Sequence, residues 1–509
     1  MKRRSSFGAL LALAVAVAAG ADDLQLSVEE FTLENGMTFL VVERHTAPVF
    51  SGYITVRAGS GNEKVGNIGT AHLLEHMMFK GSQEVGTTDW EAERRLMAEE
   101  DSIWARIDRA KRQTRYVRLN QPEQLDGHLH AIARLEAELD SVARESSRYV
   151  VQSEFDRIYS RNGAADFNAS TGYDFTRYHV SLPANRLELW FNMEAGRMKG
   201  LALREFFPER AVVSEERRQS VETSPGNKLF EQLVGTALIA HPYQIYWEWQ
   251  SEVNNLTRAD IQGFFDTYYT PQRISVAIVG DVSVKRVRAL AEKYFGDMRV
   301  SPDPEPIYTV EPEQTGERRV EVIFDAEPAL SIAFPKTSFD EPDEATFNVI
   351  ERLLGHGRTS RLYRALVLEQ QICSDVSTYT FPWSTFGSLY REVFCIDAFP
   401  KEGITTGDVE QAIYAELEKL AKTPVAEREL QKIKNQIDAE YIWDSYSNAG
   451  LAGNLANAHN LARDWQFMLT FRERLKGVTA EDIMRVAAEY LVKEHRTVAV
   501  LIPKGGEGS

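Results

Sequence analysis

An eighteen-residue segment, SPDPEPIYTVEPEQTGER at 301–318, carries four prolines and five acidic side chains and splits the chain into two parts with related patterns. Proline removes a backbone donor and fixes φ, and a run of acids has no apolar face to bury, so neither a helix nor a central strand can cross it. Before it, FTLENGMTFLVVERHTAPVFSGYITVRAGSGNE reads as strands around an Asn35-Gly36 turn. ISVAIVGDV near residue 274 reads as a buried strand, followed by the helical spacing of VKRVRALAEKYFGDM. After the segment, a strand pair in RRVEVIFDAEPALSIAFP precedes a helix in EATFNVIERLLG. At 509 residues the chain exceeds what one core usually supports. The pattern predicts an α/β (α+β) protein of two homologous domains, each a mixed sheet packed with helices, at 22–300 and 319–505, joined by a linker at 301–318.

One stretch does not fit a compact α/β domain. Leu96, Ile103, Ile107, Ala110 and Val117 recur at helical spacing, Asn120-Gln121-Pro122 breaks the pattern, and Leu125, Leu129, Ile132, Leu135, Leu139 and Val142 resume it. Two such stripes around a breaker predict an inserted antiparallel helical hairpin over 91–150, either a solvated structural insertion or a docking arm or flap.

At the N-terminus, Lys2, Arg3 and Arg4 precede an apolar run, and Ala19-Gly20-Ala21 supplies a small-x-small site, so residues 1–21 read as a signal peptide cleaved after Ala21. No later stretch is long and apolar enough to span a bilayer, and the expected location is periplasmic or secreted. A net charge of −17 argues against a nucleic-acid partner. Cys373 and Cys395 flank two strand-like runs, CSDVSTYTF and GSLYREVFC, that could pair as a hairpin. A disulfide and two separately buried thiols both remain open.

The chemistry concentrates in GTAHLLEHMMFKGS at 69–82. On a helix His72, Glu75 and His76 share one face, where two imidazoles can hold one divalent ion and the acid can serve as general base toward a water. The order is the inverse of the His-Glu-x-x-His zinc-protease motif. A catalytic zinc takes a third protein ligand. In FPERAVVSEERRQSVE, a helix beginning at Pro208 puts Glu209 and Glu216 two turns apart on a face that also carries Val212 and Val213. Carboxylates directed at apolar surroundings need a partner, and a metal with its histidines is one. Glu216 is therefore assigned as ligand, with Glu215 as the alternative, and Glu209 as a carboxylate orienting a histidine.

These stretches, with DFNASTGYDFTRYHVSL and HPY at 241–243, resemble the pitrilysin and insulinase-type zinc metallopeptidases, which include mitochondrial processing peptidase subunits and two-domain bacterial members. The resemblance spans about Leu26 to Pro503, apart from the insertion. It implies one Zn2+ per chain on His72, His76 and Glu216, with Glu75 as catalytic base and Glu209 behind a ligand. It also implies that Asn168, Ala169, Ser170 and Thr171 bind extended peptide beside the metal by strand addition. Family members often carry an arginine and, seven residues later, a tyrosine that hold substrate and the tetrahedral intermediate. The matching region, SRLYRALVLEQQICSDVSTY, has Val367 and Ser374 there.

The function implied is a zinc-dependent endopeptidase acting on short or unfolded peptides. It would work as a homodimer, or as a heterodimer with a family member lacking the zinc motif. The alternative is a zinc-containing but inactive peptide-binding or assembly subunit.

Overall fold

Residues 26–505 are described by a computed structural model of the chain, so the signal segment expected at 1–21 lies outside the described residues. The first sheet is built from β1 (Glu29–Thr32), β2 (Thr38–Glu43), β3 (Val49–Val56), β4 (Ala165–Thr171), β5 (Thr176–Pro183) and β6 (Ile274–Gly280), in the order β1-β2-β6-β3-β5-β4. The second comprises β7 (Arg318–Phe324), β8 (Ala329–Pro335), β9 (Cys373–Phe381), β10 (Val393–Pro400) and β11 (Thr497–Pro503), in the order β7-β11-β8-β10-β9. With β1 set aside the two orders are the same. Each sheet also has one parallel pair at the equivalent place, β2 with β6 and β7 with β11, and is otherwise antiparallel. The two α/β domains are thus one architecture used twice.

Both faces of the central strands are covered, which is why they read as unbroken apolar runs. Phe39, Val41, Val276 and Ile278 face a core that includes Trp190 and Phe191. Leu40, Val42, Ala277 and Val279 face the other way, onto Leu451, Leu455 and Ala456 of the helix Asn448–Ala462. Reciprocally, Leu229, Phe230, Leu233 and Val234 of the helix Pro225–Ala237 pack on Val322, Ala333, Cys395 and Leu501 of the second sheet.

The segment 301–317 has no regular structure but is not loose. The Glu311 carboxylate accepts hydrogen bonds from the N–H groups of Ile239, Ala240 and His241.

The insertion forms two long helices, Trp90–Asn120 and Leu125–Ser146, packed as the expected antiparallel hairpin around Ile103, Trp104, Ile107, Leu139 and Val142. Its base is anchored by buried ion pairs, Arg204 with Glu93 at 2.9 Å and Arg258 with Glu100, and the half-exposed Asp101 also meets Arg258. Trp104 stacks obliquely on Phe207.

The cysteines are free and buried. The β9–β10 register sets Cys395 opposite Tyr379 and Cys373 opposite Pro400, so they lie at different levels of the hairpin and the disulfide is not formed. Among the described residues no helix is long and apolar enough to cross a membrane.

Candidate metal centre

The motif lies on the helix Thr70–Met77, where Leu73, Leu74 and Met77 are fully buried and fix its rotation against the core. Gly69 precedes it with φ +95°, and a Cβ there would meet Val253 at 2.9 Å and Glu248 at 3.0 Å, so glycine is required on both counts. The Glu63 carboxylate caps the helix start, accepting from the N–H of Gly69 at 2.9 Å and of Ala71 at 2.6 Å. Burial pushes the Glu63 carboxyl up to about 8 against the pull of those two donors.

The second helix, Phe206–Arg217, begins two residues before Pro208 and carries Glu209 and Glu216. Of the two valines expected on their face only Val213 is buried, Val212 being 44% exposed. Glu216 Oε2 lies 3.6 Å from His72 Nε2 and 3.5 Å from His76 Nε2. One ligand atom from each of these three residues falls within 4.8 Å of the others, the geometry of a single-ion site. Glu215 turns outward, where hydrogen bonds from Arg218 and Gln219 bring its carboxyl down to about 2, and it takes no part in the cluster.

Each imidazole is held from behind. His76 Nδ1 lies 2.9 Å from Glu209 Oε1, and the same carboxylate takes Lys80 Nζ at 2.6 Å. Burial works against the charge on Glu209, but His76 and Lys80 hold its carboxyl below the usual range. His72 Nδ1 lies 2.9 Å from Oε1 of Glu248, a residue the sequence pattern does not single out. Burial alone would make His72 less basic, yet Glu248, with Glu75 and Glu216, outweighs it and pushes the imidazole up to about 9. With carboxylates at both Nδ1 atoms, the neutral rings that a metal requires favour the Nδ1–H tautomer, which leaves both Nε2 atoms facing Glu216 as donors. Two imidazole nitrogens and one carboxylate are a donor set that suits zinc.

Glu75, 9% exposed, accepts a 2.6 Å hydrogen bond from Thr171 Oγ1. Thr171 ends β4, which is the sheet edge and contains Asn168, Ala169 and Ser170 as well. β4 pairs with β5 only, after a bulge between Ala165 and Asn168, and its other side is open. Asn168 turns its own Oδ1 onto the N–H of Ala169. Cavities of about 240 and 340 Å³ flank the motif, the first reaching His72, Tyr246 and Trp383, the second Glu75, His76 and Asn168.

In the second half, Val367 is partly buried against the core, and the Ser374 hydroxyl donates to the Phe399 carbonyl. Neither position offers a side chain like the expected arginine or tyrosine.

Comparison with known proteins agrees with this architecture. Residues 38–135 match the family model described as insulinase (peptidase family M16), and residues 255–437 match the peptidase M16 inactive domain. The chain belongs to peptidase family M16. Within M16 it is 26% identical to the zinc protease PqqE of Helicobacter pylori, over 99% of each chain. It is 21% identical to a probable mitochondrial-processing peptidase subunit beta of Schizosaccharomyces pombe, over 91% of this chain and 88% of that one. The crystal structure of a protease from H. pylori superposes with TM-score 0.75 at 26% identity, covering 94% of this chain and all of the other. The periplasmic protease PqqL of Escherichia coli superposes with TM-score 0.66 at 14% identity over 94% of this chain and 47% of its own length. The M16 inactive-domain match begins after His72, Glu75, His76 and Glu216, and its part of the chain contains none of them.

Proposed function

We propose that this M16 chain is an exported zinc endopeptidase that cleaves short or unfolded peptides. The observation that carries the reading is the convergence of His72 Nε2 and His76 Nε2 on one Glu216 oxygen, with both Nδ1 atoms anchored to carboxylates. A bound zinc ion would polarise a peptide carbonyl and lower the pKa of water at the site. Glu75, on the same helix face, takes the proton from the attacking water and returns it to the leaving amine. Thr171 fixes the Glu75 carboxylate at the end of the edge strand. The open side of β4 binds peptide through its main chain, so sequence preference is left to the flanking cavities. The periplasmic location follows from the signal-like N-terminus, and the PqqL fold relationship is consistent with it.

A second reading rests on Val367 and Ser374. A chain without the arginine and tyrosine could hold metal and peptide while a partner chain completes the chemistry. The decisive experiment is hydrolysis of a mixed pool of unstructured peptides by the purified mature chain, with zinc content measured alongside and Glu75→Gln as control. Turnover lost in Glu75→Gln with zinc retained supports the enzyme. Turnover retained in that variant refutes the role of Glu75. Silence of the zinc-loaded wild type selects the subunit reading.

A further inference from the structure

The charge of the helical arm reverses along its length. Residues 109–134, the distal half, hold six arginine or lysine side chains against two acids, whereas 90–108 and 135–146, nearer the body, hold four against ten. In a chain of net charge −17 this is a basic tip on an acidic molecule.

The tip is also amphipathic on its outer side. The seam of the first arm helix runs through Ile103, Ile107 and Val117, all buried against the second helix or its turn. On the opposite face Arg112, Arg115, Tyr116 and Leu119 follow the i, i+3, i+4, i+7 spacing of one helical stripe. Tyr116 is 60% and Leu119 69% exposed, and Leu129 on the returning helix is 44% exposed. Arg109, Arg115 and Arg118 have no acidic partner among the described residues; only Lys111 and Arg112 are paired, with Glu136 and Asp108.

We propose that the distal arm docks this protein on an anionic phospholipid surface. Guanidinium groups bind phosphate in a forked geometry, and Tyr116 with Leu119 supplies the apolar and interfacial contact that a bilayer accepts. A stable protein interface needs about 800 Å² and about 20–30 residues a side, more than a narrow convex tip with three exposed apolar side chains presents. The arm also keeps the acidic body clear of the lipid charge. From Arg109 to Asn120 the helix advances about 17 Å, roughly twice the screening length of about 8 Å at physiological salt. The buried ion pairs at the base hold the arm to the body, so the tip is presented at a fixed distance.

The test is co-sedimentation of the full mature chain with vesicles of phosphatidylglycerol and phosphatidylcholine in equal parts, beside phosphatidylcholine alone. Binding is expected only to the anionic vesicles, and is expected to weaken as salt shortens the screening length. Combined Arg109→Gln, Arg112→Gln, Arg115→Gln and Arg118→Gln substitutions should weaken it by about fivefold for each of the three unpaired arginines, and less for Arg112, which Asp108 already holds. The pair Tyr116→Ser and Leu119→Ser, which leaves every charge in place, should weaken it severalfold. All six positions are exposed and far from the metal centre, so thermal unfolding and zinc content should match wild type. Equal sedimentation of wild type and the four-glutamine variant, or none for wild type, overturns the proposal. A salt-sensitive self-association lost in that variant, without vesicle binding, overturns it in favour of a second copy as the occupant.

Discussion

Glu248→Gln is the sharpest test of how the metal centre is built. Glu248 is 8% exposed, and its carboxylate lies 2.9 Å from His72 Nδ1, so the substitution keeps the acceptor and the shape while removing one buried charge. An ion on Nε2 would sit across the imidazole from that carboxylate, roughly 7 Å away given ordinary ring and Zn–N dimensions. Binding a divalent ion at neutral pH displaces the proton that His72, pushed up to about 9, carries without metal. The site therefore gains one net positive charge at His72 when the ion binds. With an effective dielectric constant of about 20, two ion charges at about 7 Å attract Glu248 by about 5 kcal/mol, but the imidazolium charge they displace, about 4–5 Å from the carboxylate, had already attracted it by about 4 kcal/mol, so the charge of Glu248 favours the ion by about 1 kcal/mol. That is a loss of roughly fivefold in zinc affinity, just below the 10- to 100-fold range usual for groups behind a ligand.

The assay is competition of the folded variant with a chromophoric chelator, with Glu248→Ala as the comparison. The expected order of affinity is wild type, then Gln, then Ala, because alanine also frees the ring to rotate. A Gln variant within twofold of wild type would show that the charge of Glu248 contributes nothing and that its role is confined to shape.

Thr171→Val removes the hydroxyl from Glu75, and a roughly tenfold loss in kcat with zinc affinity unchanged is expected from freeing a positioned base. Arg204→Met at the base of the arm leaves Glu93, fully buried, without its cation and should cost about 3–5 kcal/mol in urea unfolding, whereas Glu93→Gln in the same background should restore part of that. His459 is 4% exposed, and burial, with Arg463 and Arg57 adding, lowers its imidazole to about 4. The folded state therefore favours the neutral form, so this contribution is present above about pH 6.5 and is lost as pH falls toward 4, up to about 3 kcal/mol. His459→Gln should flatten that part of the acid limb in thermal unfolding measured from pH 7 to pH 4.5.

The candidate cluster was legible in part because two of its relations are local, whereas the meeting of His72 and His76 with Glu216 across the two helices is not. His72, Glu75 and His76 share a helix face by spacing alone, and Glu209 and Glu216 stand two turns apart on another. What spacing cannot resolve is rotation: Glu215 and Glu216 differ by about 100° around the axis. The burial of Val213 and exposure of Val212 decide which of them meets the histidines. Glu248 and Glu63 were not legible. Glu248 reaches His72 across 176 residues, and Glu63 caps a helix whose start depends on the left-handed conformation of Gly69. The arm was legible from its apolar stripes, while the cysteine pairing failed on register, since two residues on adjacent strands pair only if the turn sets them level.

The second half holds none of the candidate metal-centre residues, yet its helix covers one face of the first sheet. Leu40, Val42, Ala277 and Val279 form one whole face of the strands beside the metal domain's core, and the helix Asn448–Ala462 covers them. That helix, NAGLAGNLANAHNLA, is rich in alanine and glycine, which lets its backbone come close to the sheet. At Gly453 a Cβ would sit 3.5 Å from the ring of Tyr53 on β3, already in contact. Exposing that face would place a broad apolar surface in water, and the same holds for the second sheet without Pro225–Ala237. The exchange of helices makes the two halves a single folding unit. It gives a physical reason for a domain without the candidate ligands to keep its fold: its helix completes the floor beneath β2, β6 and β3 of the first sheet.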